Sequence, residues 1–259
     1  MTLWQVPVVF LAAFVAGMMN SVAGGGTLVT FPTLVWIGLD PIRANVTSTV
    51  ALWPGSLGAL VGFRRELGDR RRWMLLLGPP SVAGGLIGAR LLLLTPSPLF
   101  ASIVPYLILF ATILFAVAEP LTRRLRVKEN QQSVRSPGQE RAWWIGAIVF
   151  QFFVAIYGGY FGAGMGFLIL AVLGLMGLTD IHQMNGLKSF FVVCINIVAA
   201  TYFIVSGRVE WTYALVMVVG AIAGGYGGAG LARKLGRQFI RRAVIVIGLG
   251  MAVSLLFRG

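Results

Sequence analysis

Long apolar stretches recur along the chain, separated by short polar breaks, over residues 3–22, 44–63, 73–94, 99–118, 142–160, 186–206, 211–232 and 241–257. Each is close to the roughly 20 residues that carry a helix across a ~30 Å hydrocarbon core. Two shorter apolar pieces stand at 27–38 and 165–178. The apolar residues are continuous, without the alternation that outer-membrane strands require. The pattern therefore predicts an all-α integral membrane protein with about eight to ten membrane segments. Composition agrees, with 58% hydrophobic residues, 11% charged and a mean hydropathy of +0.86, far outside the soluble range.

A net charge of +13 raises the question of nucleic acid, and the distribution of that charge answers it. Sixteen of the 21 lysines and arginines fall in three segments, 64–72, 123–141 and 233–242. The positive-inside rule accounts for all three as cytoplasmic and leaves no role for nucleic acid. The middle segment is long and polar, so residues 120–141 are expected to be a cytoplasmic linker between a first membrane repeat, 1–119, and a second, 142–259. The start "MTLWQVPVVF" has no basic region of the kind that opens a signal peptide, so 3–22 is read as the first membrane segment, and both termini are expected outside. Six of the seven tryptophans fall near expected membrane faces, and Trp53, next to Pro54 and Gly55, is the exception. One cysteine and one histidine leave no disulfide or metal framework, and no cofactor is expected.

The chain also resembles itself. Laying the second half over the first aligns "AGGLIGARL" (83–91) with "AGGYGGAGL" (223–231), and in the same register Asn45 pairs with Asn185 and Ser56 with Asn196. The charges do not follow that register: basic 64–72 falls on nearly neutral 204–212. Equivalent loops then lie on opposite sides, which is the signature of inverted-topology repeats. Each repeat would be a glycine-broken hairpin followed by three spans. The hairpin is either a re-entrant tip or an interrupted crossing, with its turn at "AGGGT" or "FGAGMG".

The glycines admit several readings. "GGLIGA" and "GGYGGAG" fit close helix packing through small residues. Gly162, Gly164 and Gly166 share a dinucleotide-loop spacing, but no strand-turn-helix unit with a ribose-binding acid surrounds them. For Gly24, Gly25 and Gly26, and for Gly162, Gly164 and Gly166, a break at membrane depth is the better account. Irregular backbone survives there only beside protein or a watery cavity, and a helix N-terminus at that depth suits an anion. Polar residues gather near the breaks: Asn20, Asn45, Thr47, Ser48, Thr49 and Ser56, then Gln183, Asn185, Lys188, Ser189 and Asn196. Arg90 and Lys188 are the cations within or at the edge of spans, as snorkelling side chains or as anion ligands. No acidic residue lies within an expected span. That argues against a carboxylate proton relay or a cation path in the core, favours anions, and counts against an enzyme needing an acid/base pair in the bilayer.

The segments "AGGGTLVTFPTLVWIGLDPIRANVTSTVALWPGSLGALVGFRREL" and "GGYFGAGMGFLILAVLGLMGLTDIHQMNGLKSFF" resemble the paired signature segments of the TauE/SafE sulfite exporter family, also called TSUP. The resemblance spans nearly the whole chain. It implies secondary transport, by export or import, of a small sulfur-containing anion such as sulfite, thiosulfate or an organosulfonate, in a bacterial inner membrane. It carries site roles onto Gly24–Gly26 and Asn45–Thr49 in the first half and Gly162–Gly166 and Asn185–Ser189 in the second. The expected site thus comprises Asn20, Gly24, Gly25, Gly26, Asn45, Ser48, Thr49, Arg90, Gly162, Gly164, Gly166, Asn185, Lys188 and Ser189. The expected partners are the anion and membrane lipid, with room for a coupling ion (H+ or Na+) and for a homodimer. An anion channel of the same fold, or a transporter of another small carboxylate or oxyanion, is the alternative.

Overall fold

The computed structural model describes residues 2–22, 25–62, 64–127, 137–178 and 180–235, with short helical pieces between 245 and 254. Over these residues the chain is helical: α1 (Gln5–Val22), α2 (Thr27–Trp36), α3 (Pro41–Gly62), a 3-10 helix (Arg64–Arg70), α4 (Arg71–Leu94), α5 (Ser97–Val127), α6 (Pro137–Tyr160), α7 (Met165–Leu175), α8 (Ile181–Val205) and α9 (Trp211–Leu235). The apolar stretches of the sequence map onto these helices. The last expected span, 241–257, lies for the most part outside the described residues, and the ends of the expected linker are helical, as the tail of α5 and the head of α6.

Local chemistry sets the boundaries. Asp40 and Asp180 begin α3 and α8, their Oδ1 accepting from the Ile42 N–H at 3.0 Å and the His182 N–H at 2.8 Å, an N-cap role that their short acceptor side chains suit. Gly38 and Gly177, at φ 99° and 83°, end α2 and α7. Leu39 N–H then reaches the Leu34 carbonyl and Leu178 N–H the Leu173 carbonyl, each at 3.0 Å, which closes a Schellman motif.

Contacts at the helix ends trace the path. The Gln5 amide donates to the Ile37 carbonyl, the Trp4 and Trp36 rings meet edge to face at 6.2 Å, and Tyr213 donates to Gln5 at 3.0 Å. The start of α1, the end of α2 and the start of α9 therefore share one end of the bundle. At the opposite end Arg70 Nε donates to Gln183 at 2.9 Å, Arg72 pairs with Glu140 at 3.5 Å, and Trp73 meets Trp144 edge to face at 5.0 Å. There the starts of α4, α6 and α8 meet. Both α1–α2 and α6–α7 are consequently hairpins that return to the end they came from, and their tips are the glycine clusters. Within each hairpin the second helix, α2 or α7, is much shorter than the first. α5 ends at Val127, α6 begins at Pro137 and α9 ends at Leu235, so the described ends of all three basic segments lie at the Arg70 end.

Each hairpin packs on a helix of the other half. The most extensive helix pairs are α1 with α9 and α4 with α6, and glycine lets them approach. A Cβ on Gly84 would come within 2.6 Å of the Phe152 carbonyl oxygen, and Cβ atoms on Gly88 and Gly224 would overlap the Ile156 and Phe14 carbonyl oxygens. Gly84, Gly85 and Gly88 of "GGLIGA" and Gly224 of "GGYGGAG" thus serve packing, as small residues in membrane helices do. Among the described residues, four helical segments are long and apolar enough to cross a membrane: Arg71–Leu94, Ser97–Leu114, Glu140–Tyr160 and Ile181–Val205. Helix α3 falls outside that group, and it is the helix that carries Asn45, Thr47, Ser48, Thr49 and Ser56. Outward faces are apolar, with Leu75, Tyr106 and Phe153 more than half exposed, as a lipid-facing surface requires.

Candidate functional site

A tip that turns back at membrane depth must satisfy its own backbone, and here a side chain of the incoming helix does part of that work in each half. Asn20 Oδ1 accepts from the Gly26 N–H at 2.9 Å. The Tyr157 hydroxyl donates to the Ala163 carbonyl at 2.6 Å. Gly25, Gly162 and Gly164 have φ of 92°, 77° and 77°, the left-handed region that a side chain makes costly. Gly26 is excluded from substitution by space instead: a Cβ there would lie 2.8 Å from the Ala16 carbonyl oxygen.

The two tips, with α3 and α8, enclose a cavity of about 160 Å³ lined by Asn20, Gly25, Thr27, Thr49, Leu52, Gly55, Ser56, Gly162, Gly164, Met165, Gly166, Asn185, Lys188, Ser189, Val192 and Asn196. Thr27 and Met165 open α2 and α7, so both helix N-termini border the cavity, each carrying roughly half a positive charge. Lys188 lies along Gly166, whose Cβ would meet the lysine Cδ at 3.4 Å. Its ammonium donates to Asn185 Oδ1 at 3.0 Å, while Asn185 Nδ2 donates to the Ile181 carbonyl at 2.8 Å. Asn185 is thereby anchored to its own helix and steadies the lysine. Among the described residues no carboxylate lines the cavity, and no cluster of metal-ligating side chains occurs.

Of the residues expected at the site, the structure brings Asn20, Gly25, Thr49, Gly162, Gly164, Gly166, Asn185, Lys188 and Ser189 together around this space. Gly24 lies outside the described residues. Gly26 sits behind its neighbour, held by Asn20. Asn45 and Ser48 are fully buried and turned to other tasks: Asn45 Nδ2 donates to the Tyr160 carbonyl at 2.9 Å, and Ser48 meets the Thr30 hydroxyl at 2.6 Å. Arg90 is exposed on the flank of α4, apart from the cavity. The cavity also takes in Ser56 and Asn196, which the internal repeat pairs, Thr27, a hydroxyl beside the first glycine cluster, and Leu52, Gly55, Met165 and Val192, which carry no polar side chain.

Toward the Trp4 end the space is filled by rings. Phe31 meets Phe161 at 5.3 Å and Phe100 at 6.3 Å, and Phe100 meets Tyr160 at 5.7 Å, all edge to face. The family profile described as sulfite exporter TauE/SafE matches residues 9–255, nearly the whole of this helical array. The chain belongs to the TauE/SafE family. Among curated relatives it is 28% identical over 255 residues to the probable membrane transporter protein YfcA of Escherichia coli K12, covering 96% of this chain and 89% of that one. It is 25% identical over 253 residues to the probable membrane transporter protein ORF9 of a Sinorhizobium species, covering 95% and 90%. It is 23% identical over 267 residues to the probable membrane transporter protein YunE of Bacillus subtilis, covering 97% of each. No solved structure matches. Like other TauE/SafE chains, this one is a multi-pass membrane protein of a transporter family, and the cavity at its hairpin tips is the polar space from which a transport mechanism is to be read.

Proposed function

We propose that this protein is a secondary transporter, not an enzyme, that moves a small sulfur-containing anion such as sulfite, thiosulfate or an organosulfonate across a bacterial inner membrane. The observation that carries the reading is the make-up of the cavity: among the described residues its lining offers one ammonium, two helix N-termini and neutral donors, with no carboxylate. An oxyanion with three acceptor oxygens needs several donors around one positive charge, and Lys188, Asn20, Thr27, Thr49, Ser56, Ser189, Asn196 and the tip N–H groups supply that number. The sulfur chemistry of the cargo rests on the family's description.

Two inverted repeats are supported by contacts that recur in the register of the internal repeat. The bonded pairs Arg43–Glu210 and Gln183–Arg70 and the lining pairs Thr49–Ser189, Leu52–Val192 and Ser56–Asn196 all obey it. Rocking of one half on the other would expose the site alternately. The ring cluster blocks the Trp4 end, and Gly55 is exposed toward the Arg70 end, so the cavity is read as facing the basic, cytoplasmic side. Lys188→Ala in proteoliposomes is expected to abolish uptake of radiolabelled sulfite while leaving expression and monodispersity intact. Transport at the wild-type rate would remove Lys188 from the site, and currents that rise without saturation would replace the carrier by a channel.

A further inference from the structure

The two equivalent places at which an asparagine enters the helix after each hairpin are filled differently. In the second half Asn185 Oδ1 accepts from an ammonium, that of Lys188, at 3.0 Å. In the first half Asn45 is the equivalent of Asn185, and in the same register Ser48 is the equivalent of Lys188. Asn45 is 1% exposed, and its Oδ1 has no hydrogen-bond partner among the described residues. Such an orphaned acceptor is destabilising unless something fills the place.

The surroundings specify what would fill it. Thr30 Oγ1 lies 3.2 Å from the Gly26 carbonyl, to which it can donate, and 2.6 Å from the Ser48 hydroxyl, a contact in which either oxygen can donate. The Ser48 oxygen keeps a lone pair in either arrangement. Asn45 and Ser48 stand three residues apart on one face of α3. Facing Asn45 is the carbonyl of Tyr160, at 2.9 Å from Nδ2, which is the C-terminal end of α6 and carries roughly half a negative charge. These oxygens lie inside the bundle at the negative end of a helix, and Asn45 Oδ1 is the one that has no donor among the described residues. Amide and hydroxyl oxygens do not take up a proton in water, and no carboxylate among the described residues stands there to hold a divalent ion.

We propose that an alkali metal cation binds in the first half between Asn45 Oδ1, the Ser48 hydroxyl and the Tyr160 carbonyl, in the place that the tethered ammonium of Lys188 takes in the second. The bound ion gives the first half the positive charge it lacks beside the cavity, one helical turn from Thr49.

The test uses the full-length protein in detergent, without any sulfur anion. Its unfolding temperature is followed as NaCl, LiCl or KCl replaces choline chloride, with chloride and ionic strength held constant. The expected result is a saturable rise with at least one of the three, growing with the logarithm of concentration above its Kd. Ser48→Ala, which removes one oxygen, is expected to move that titration about tenfold higher, and Asn45→Asp, which adds a negative charge, about tenfold lower. Asn45→Asp also sets an acceptor against the Tyr160 carbonyl, so it is expected to be destabilised in choline and rescued by the cation. A wild-type unfolding temperature that is the same in choline and in all three salts overturns the proposal, whether or not the variants fold. So does an Asn45→Asp protein whose titration coincides with the wild type, since the orphaned oxygen then holds a water. A failure of the anion reading would show elsewhere, as no response to sulfite at fixed Na+.

Discussion

The two halves share a scaffold and differ in charge. Asp40 and Asp180 start equivalent helices, Asn20 and Tyr157 staple equivalent tips, and Gly84 and Gly224 hold matching positions at the two cross-half packing seams. Yet Lys188 reaches into the cavity while its counterpart Ser48 is buried against Thr30. Asn185 bonds within its own helix, and Asn45 reaches into the other half. What must fold around a membrane-buried break is duplicated, whereas the charge facing a ligand is placed once among the described residues. A single ammonium concentrates attraction without the like-charge repulsion that two would bring into a cavity of about 160 Å³.

The shared scaffold is the easiest part to break. Gly84→Leu would thrust a side chain at the Phe152 carbonyl and Ala155, and Gly224→Leu at the Phe14 carbonyl. Because the obstacle is backbone on both seams, the helices must part, and each change is expected to cost about 3 kcal/mol or more. The check is loss of monodisperse protein by size-exclusion chromatography. Equal losses at the two positions support equivalent seams, while a tolerated Gly224→Leu would show that the α1–α9 seam can yield where α4–α6 cannot.

Most of that scaffold was legible in the sequence, and the depth of the site was not. Apolar length gave the helices, and the glycine clusters gave the turns of the two hairpins. Asn45, Ser48, Thr49, Leu52 and Ser56 follow one another along one side of α3 at helical spacing, and that spacing cannot say which of them lies level with the cavity. The level is set by where the hairpin tips end against α3 and α8, a long-range packing outcome. It puts Thr49, Leu52 and Ser56 at the cavity and Asn45 one turn beyond it, beneath the end of α6. Arg90 shows the same limit in another direction. Its helix carries glycines at 84, 85 and 88 that face the partner helices, which turns Arg90 outward, and a charge within an apolar run does not by itself disclose its side.

A smaller effect tests whether the neutral donors are shared evenly. Thr49 and Ser189 occupy matching places in the lining. Each hydroxyl contributes about 0.5–1.5 kcal/mol if it bonds the cargo, so Thr49→Val and Ser189→Ala are each expected to raise KM for sulfite by roughly two- to tenfold with little change in folding. Comparable increases mean that both halves hold the anion. An increase confined to Ser189→Ala would assign recognition to the half that bears Lys188, leaving the first half as a wall.

The smallest expected effect lies at the helix starts, where the repeat exchanges its charges. Arg43 on α3 pairs with Glu210 before α9, and in the other half Gln183 on α8 accepts from Arg70 before α4. One half thus uses an ion pair where the other uses a neutral amide and an arginine, so full charge is not required to fasten this corner. The Arg43 and Glu210 side chains are 54% and 34% exposed, and a pair so open to water contributes only about 0–1 kcal/mol. Arg43→Gln, which makes the Trp4 end resemble the Arg70 end, is therefore expected to lower the unfolding temperature by no more than a few degrees, and by less still in high salt, where screening has already weakened the pair. A large, salt-independent loss would mean that the corner is a rigid joint in one half alone, and the two ends of the bundle would then have to differ in stiffness as well as in charge.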